Sequence, residues 1–350
     1  MRIIYLIDNF SLGGAQTVVK GLMEYHPESR DVYAMALRKK DPEYVIRHPN
    51  VRCYPGRSKY SLRPFRYLDR MIREEKIGVV HCQLPRSILF GYLLKRKHPG
   101  IRYIVHEQGD VFESRLYTMV LRYISRKADG MIACSEATRR AMGDRSGIDV
   151  RKIRVLYNFA DLKRFSPVHR HTGKIETIAF AGRIIKRKGW REFVGAAVHY
   201  CFHEKLSFLM AGTGPEEHVL RRIIGKMACP NIRFHGYQEK MEEFYRKADV
   251  VVIPSHFEPM GMVAVEAMAT GTPVLVADVP GLNEIVRHGI NGWTYPSGSV
   301  GELIRAIENI LACDPEHIRA IAERGREYSL EFSLEDFSEQ LFEYYRIHSR

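Results

Sequence analysis

At 350 residues, with 45% of them hydrophobic, 27% charged and ordinary numbers of Gly (27) and Pro (16), the chain falls outside the disordered, collagen-like and low-complexity classes. It is long enough for two packed domains, because single cores stop growing at roughly 250–300 residues. The net charge of +13 is uneven: up to Phe165 there are 32 Lys and Arg against 17 Asp and Glu, or +15, and the rest holds 22 against 24, or −2.

The first apolar run, residues 3–7, is closed by Asp8 and reads as a buried strand, since it lacks the long apolar stretch and small-residue cleavage site of a secretory signal. Further strands are predicted at 32–37, 51–54, 79–82, 103–106, 130–133 and 153–157, with helices at 15–25, 65–75, 87–97 and 116–127. Residues 158–168 carry no clear period and read as a linker. The pattern then restarts, with strands at 177–181, 207–210, 232–235, 250–253 and 273–277 and helices at 192–203, 216–228 and 262–269. The reading is α/β, two doubly wound (Rossmann-like) domains in tandem, 1–160 and 161–333, with a last helix in 334–350 packing back on the first. Ligands of such sheets bind outside the carboxyl ends of strands, so an active site is expected in the cleft between the domains. No segment offers the roughly 18–20 apolar residues of a membrane span; the best, 193–202, is short and carries His199. Cys53, Cys82, Cys134, Cys201, Cys229 and Cys313 stand singly, which predicts reduced thiols in a cytoplasmic protein and no metal site.

Six strand-end segments carry candidate chemistry. Gly13 and Gly14 follow the first strand and open a helix, where backbone N–H groups and the helix dipole suit a phosphate; a tight turn is the plain alternative. His106 is expected on a loop after the fifth strand, as a hydrogen-bond donor to a sugar or carbonyl oriented by Glu107 or Asp110, or as a structural imidazole. Arg183, Lys186, Arg187 and Lys188 lie between a strand and Gly189 and suit a diphosphate better than a merely solvated turn. Gly212 and Gly214 permit close approach of a nucleotide, although Pro215 and the acids behind them also simply initiate a helix; Tyr237 is a base contact or a core ring. The longest segment, 254–273, puts Glu258 in a loop and Glu266 in the helix that starts near Gly261 and Met262 and stops at Gly271. A helix N-terminus facing an anion, with one carboxylate for sugar hydroxyls and another for a ribose, describes a nucleotide sugar. Glu266 sits between Val265 and Ala267 in an apolar helix, where an unpaired carboxylate is costly.

Taken together, the Gly13-Gly14-Ala15 loop, His106, Gly182-Arg183 with Lys188-Gly189, Gly212-Thr213-Gly214-Pro215, Glu258 through Glu266 into Gly271-Thr272-Pro273, and Pro280-Gly281-Leu282-Asn283-Glu284 resemble the retaining glycosyltransferases of family four, which have the GT-B fold. The resemblance implies a nucleotide-sugar donor, UDP-linked by default, held mainly on the second domain. Arg183 and Lys188 would grip the diphosphate, Gly14, Gly261 and Met262 would give backbone contacts, Glu266 would bind ribose and Glu258 the sugar, and His106 would contact the donor sugar. It implies retention of configuration, no cofactor beyond the co-substrate and no metal, with cations doing the electrostatic work. Met260 and Met262 stand where Phe and Leu are commoner around the central Gly, an apolar change. Acceptor recognition falls to the first domain, whose +15 suggests a lipid-linked or glycolipid acceptor of cell-surface glycan synthesis and a peripheral position on the anionic inner face of the cell membrane. Arg63, Arg66, Arg70, Arg73, Lys95, Arg96 and Lys97 are the expected membrane-facing patch. Charge alone would also suit a nucleic-acid-binding protein, but no interleaved aromatic platform or motif supports one, so nucleic acid is not expected as a partner. An epimerase or phosphorylase of the same fold is the remaining alternative.

Overall fold

The computed structural model describes residues 1–26, 29–41, 44–109, 115–169 and 171–347. Two compact units emerge, one of 1–159 with 334–350 and one of 160–333. The first is built on a parallel sheet in the order β3-β2-β1-β4-β5-β6-β7: β1 (Ile3–Ile7), β2 (Val32–Ala36), β3 (Val51–Cys53), β4 (Val79–Gln83), β5 (Arg102–Glu107), β6 (Gly130–Ala133) and β7 (Ile153–Val155). Every residue of β1 is buried, the mark of a strand covered on both faces, and its side chains divide by parity. Ile4 and Leu6 join one core with α2 (Arg63–Glu74), α3 (Pro85–Lys97), α4 (Arg115–Ser125) and α5 (Glu136–Ser146) through Leu68, Ile88, Leu121 and Met142. Ile3, Tyr5 and Ile7 join the other with α1 (Gly14–Tyr25) and α13 (Leu334–Ile347), through Val18, Leu22, Phe337, Leu341 and Tyr345. The last helix is thus part of the first unit's core. Its Tyr344 hydroxyl accepts from the Met131 N–H at 2.8 Å, and a Cβ on Gly130 would lie 2.5 Å from that oxygen, so only glycine fits there.

The second unit repeats the plan in the order β10-β9-β8-β11-β12-β13: β8 (Thr177–Ala181), β9 (Ser207–Ala211), β10 (Ile232–Phe234), β11 (Val250–Ile253), β12 (Val274–Asp278) and β13 (Trp293–Pro296). Its helices are α6 (Trp190–His199), α7 (Glu217–Lys226), α8 (Met241–Arg246), α9 (Met262–Ala269), α10 (Leu282–Ile285), α11 (Val300–Leu311) and α12 (Pro315–Ser329). In the first unit the chain leaves β1 for β2 on one side and returns to β4 on the other; in the second it leaves β8 for β9 and returns to β11. In doubly wound sheets ligands bind at the carboxyl ends of the strands beside such reversals. Among the described residues no helix is long and apolar enough to cross a membrane.

Candidate functional site

In the second unit the reversal lies between β8 and β11, and glycines hold the loops after both strands together. Gly189 has φ +68, and a Cβ there would lie 1.8 Å from the Pro254 carbonyl oxygen, so the loop after β8 meets the loop after β11 backbone to backbone. The His256 N–H donates to the Arg187 carbonyl at 2.8 Å across the same seam. The result brings Lys188 to Glu258, Nζ to Oε2 at 2.5 Å, with Ser255 Oγ donating to the same oxygen at 3.1 Å. Both partners are largely buried, with 19% and 12% of their side chains exposed. Arg183, by contrast, is exposed and makes no ion pair among the described residues.

Gly261, in the left-handed region at φ +100, is the N-cap of α9, and no side chain caps that end. A Cβ on Gly261 would meet Leu282 Cδ2 at 2.6 Å, and one on Gly281 would meet the Glu258 carbonyl oxygen at 2.2 Å, so the 258–261 turn is pressed against the start of α10. Met262 opens α9 half-buried and Met260 is buried. One turn into α9, Glu266 accepts a hydrogen bond from the Tyr245 hydroxyl at 2.9 Å; burial pushes its carboxyl up to about 7, a shift that the Tyr245 bond and the Arg164 charge oppose. Lys188, Glu258 and Glu266 therefore do flank one uncapped helix start, with Tyr245 and Ser255 as supporting hydroxyls that no sequence motif flagged.

Gly212 and Gly214 are filled by the protein itself: a Cβ at Gly212 would lie 1.8 Å from the Gly182 carbonyl oxygen, and one at Gly214 2.4 Å from that of Ile184. These glycines pack the loop after β9 onto the loop after β8. Glu216 ties the same turn, accepting from the Lys186 N–H at 3.1 Å and Trp190 Nε1 at 3.0 Å. Tyr237 is 50% exposed, so it is not a core ring.

In the first unit Gly13 is extended at φ 172 and Gly14 begins α1, with nothing within 4 Å of a Cβ there. Beside them Asp8, read from sequence only as the end of a strand, accepts from the Ser87 N–H at 2.8 Å and the Arg86 N–H at 3.4 Å, capping α3 across the β1/β4 reversal. Burial raises its carboxyl to about 6. His106 corrects the expectation of a loop imidazole: it lies inside β5, fully buried, with Nδ1 3.1 Å from Nε2 of His81 and Nε2 3.2 Å from Nε2 of Gln108. His81 Nδ1 lies in turn 2.6 Å from the Tyr345 hydroxyl of α13. Burial holds the His106 imidazole near 3, so it is neutral. Glu107 does not orient it but accepts from the Tyr117 hydroxyl at 2.6 Å and the Gly109 N–H at 3.0 Å; Asp110 lies outside the described residues.

Of the expected membrane patch, Arg73 and Lys97 pair with Asp69 at 3.2 and 3.0 Å. Lys95 is committed to Asp129 and to the carbonyls of Pro99 and Ile101. Arg63, Arg66, Arg70 and Arg96 are exposed and make no ion pair among the described residues.

Residues 12–164 match the family model described as Glycosyltransferase Family 4, and residues 162–328 the one described as Glycosyl transferases group 1. A D-inositol 3-phosphate glycosyltransferase of Nocardia farcinica is 31% identical over 258 residues, covering 68% of this chain and 57% of that protein. The putative glycosyltransferase EpsD of Bacillus subtilis is 26% identical over 311 residues, covering 81% and 80%. The Alr3699/HepE protein of Anabaena, crystallised in complex with UDP, superposes with a TM-score of 0.85 at 18% identity, over 99% of this chain and 100% of that one, a likeness of fold. The chain spans less than two thirds of the length of the first curated relatives that it matches.

Proposed function

From the premise that the chain belongs to the group 1, family-four glycosyltransferases, we propose that it moves a sugar from a nucleoside-diphosphate donor, UDP-linked, to a hydroxyl of a lipid-linked or glycolipid acceptor in cell-surface glycan synthesis. The observation that carries this reading is the partly buried Lys188–Glu258 pair beside the uncapped start of α9, with Glu266 one turn further in. A diphosphate takes the helix start and Lys188, and exposed Arg183 forks onto its oxygens. Glu266 accepts from ribose hydroxyls. Glu258, released from Lys188, accepts from the sugar. Gly14, Gly261 and Met262 offer backbone N–H groups, Tyr237 meets the base, and Gly13, Gly212 and Gly214 shape the loops around them. His106 reaches the donor sugar only if Gln108 gives way, because Gln108 sits against its Nε2.

In the reaction the acceptor hydroxyl oxygen bonds to the anomeric carbon on the face from which the diphosphate departs, so configuration is retained. The bond from that carbon to the phosphate oxygen breaks, and the hydroxyl proton passes to the departing phosphate. Arg183 and Lys188 stabilise the charge that grows there, the work a divalent cation would otherwise do. One structural relative, Alr3699/HepE of Anabaena, crystallised with UDP and with UDP-glucose, supports the donor class, and a relative from a cps region of Klebsiella pneumoniae supports the pathway class. We place the enzyme at the inner face of the cell membrane, a reading supported by the +15 of residues 1–165. The test is a panel of UDP-, GDP-, ADP- and dTDP-sugars. A donor at 100 times its Kd stabilises the fold by about 2.7 kcal/mol, and absence of any thermal shift across the panel overturns the reading.

A further inference from the structure

The face of the first sheet that packs on α1 and α13 buries a row of polar side chains that an apolar core does not need. Tyr345 of α13, His81 of β4 and His106 of β5 are fully buried, and Gln108 and Asn158, which follow the carboxyl ends of β5 and β7, are nearly so. Their contacts form one chain. The Tyr345 hydroxyl lies 2.6 Å from His81 Nδ1, His81 Nε2 lies 3.1 Å from His106 Nδ1, His106 Nε2 lies 3.2 Å from Gln108 Nε2, and Gln108 Oε1 accepts from Asn158 Nδ2 at 2.8 Å. Phe337 of α13 stacks on the His106 ring at 6.5 Å between ring centres, and Tyr5 of β1 meets the His81 ring edge to face at 5.6 Å, so both imidazoles are also held from outside the chain.

The amide of Gln108 sets the direction of the hydrogen bonds. An amide nitrogen donates and cannot accept, so His106 Nε2 is the acceptor of the Gln108 N–H. The Gln108 oxygen is taken by the Asn158 N–H, which opposes turning the amide about. Both imidazoles are neutral: burial holds His106 down at about 3, and burial together with the neighbouring His106 lowers His81. A neutral imidazole carries one proton. His106 therefore carries it on Nδ1 and donates to His81 Nε2, and His81 in turn carries its own on Nδ1 and donates to the Tyr345 hydroxyl oxygen. Glu107, beside His106 in sequence, is turned to Tyr117 instead. The chain ends on a phenol that burial keeps protonated, so it transmits no charge; it selects a tautomer.

We propose that His81 and Tyr345 are positioning residues that hold His106 in its Nδ1–H form, so that His106 Nε2 accepts a hydrogen bond from a donor-sugar hydroxyl and gives none. This rests on the reading that His106 serves the sugar, and it reverses the polarity expected of His106 from sequence. The Gln108 N–H already occupies that lone pair, and a hydroxyl that displaces it must donate likewise. Because each donating ring nitrogen faces an accepting one, neither histidine changes tautomer alone. A change at one end of the chain is felt at the ring that it does not touch.

The experiment is long-range proton–nitrogen correlation NMR of the full chain labelled with nitrogen-15 histidine, His81→Asn and His106→Asn spectra assigning the two signals. In the native chain both rings should be neutral and protonated on Nδ1, the less common form of free imidazole. Tyr345→Phe removes the last acceptor, so a measurable fraction of His106, which Tyr345 does not touch, should pass to the Nε2–H form. Gln108→Leu strips the N–H that sets the direction at the other end and should do the same to His81. In Tyr345→Phe, kcat for UDP release from a panel of UDP-sugars, with membrane lipid extract as acceptor, should fall about 3- to 10-fold, the worth of one hydrogen bond, while calorimetric UDP affinity stays unchanged. A native His106 protonated on Nε2 overturns the proposal, and so do tautomers that neither variant alters. A UDP affinity that falls in step with kcat gives Tyr345 a merely structural role and also refutes it. A native chain that shows both Nδ1–H signals and consumes no UDP-sugar overturns the reading of the reaction, and the sugar contact with it, but not the assignment of the tautomers.

Discussion

Glu266→Gln should make the protein more stable at pH 8 and a poorer binder of its donor. The carboxyl of Glu266 is raised from 4.5 to about 7, chiefly by burial. Below pH 4.5 it is protonated in both the folded and the unfolded chain and costs nothing. Between 4.5 and 7 the folded chain holds a proton that the unfolded chain has released, so stability falls as pH rises through this window; above it the whole penalty is carried. That difference corresponds to about 3 kcal/mol, which partial solvent access reduces to about 2 kcal/mol. Glutamine keeps an acceptor for the Tyr245 hydroxyl and removes the charge. The variant should therefore gain about 2 kcal/mol over the native chain at pH 8 and almost nothing at pH 4.5. Denaturant unfolding followed by intrinsic fluorescence reads this directly, because both tryptophans, Trp190 and Trp293, lie in the second unit with Glu266. Donor-induced stabilisation should move the opposite way. A gain that is equal at the two pH values would show that burial of charge is not what Glu266 pays for, and undiminished donor affinity would remove the ribose assignment.

Arg183→Ala should leave unfolding within about 0.5 kcal/mol of the native chain, because the side chain makes no ion pair among the described residues. UDP affinity by titration calorimetry should nonetheless fall about 10- to 100-fold for loss of a charge-assisted contact. The glycines divide by geometry: Gly212→Ala forces a Cβ to within 1.8 Å of a carbonyl oxygen and should cost about 3 kcal/mol in denaturant unfolding, whereas Gly14→Ala meets nothing within 4 Å, leaves stability unchanged and tests backbone contact with the donor through UDP affinity.

Apolar runs bounded by turns marked both sheets in the sequence, because strands covered on two faces read as continuous hydrophobic stretches. α5, α11 and α12 are absent from the helices that periodicity predicts, although their starts carry capping signals. Ser135, Ser299 and Asp314 each cap the helix start they precede, and Pro315 opens α12. α5 buries only three residues, Thr138, Met142 and Ser146, two of them polar, so it shows no apolar stripe. At the site, spacing along 254–273 located Glu258 and Glu266, but nothing in the sequence shows that Lys188 is the partner of Glu258 seventy residues away, or Tyr245 that of Glu266. The burial of His106 is equally non-local: its neighbours His81 and Tyr345 come from β4 and from α13, and only folding brings them to one buried chain of hydrogen bonds. Sequence spacing identifies groups on a single loop or helix, whereas pairings across loops depend on glycine contacts such as Gly189 on Pro254.

The Lys188–Glu258 pair also fixes what an occupant must supply. At 2.5 Å and largely buried, each group satisfies the other, and drawing Lys188 onto a phosphate leaves the Glu258 carboxylate with Ser255 as its one hydrogen-bond partner among the described residues. A buried charge stripped of its partner is costly. Under the proposed donor site, UDP would take Lys188 and give Glu258 nothing, whereas a UDP-sugar would bring hydroxyls that replace the lost ammonium. The native protein should therefore hold a UDP-sugar more tightly than UDP. In Glu258→Gln no charge is stranded, so UDP should bind more tightly than to the native chain while the UDP-sugar gains little, and the gap between the two ligands should close. Calorimetric titration of both ligands against both proteins measures this as one double difference, and a gap of equal size in the two proteins would sever Glu258 from the sugar.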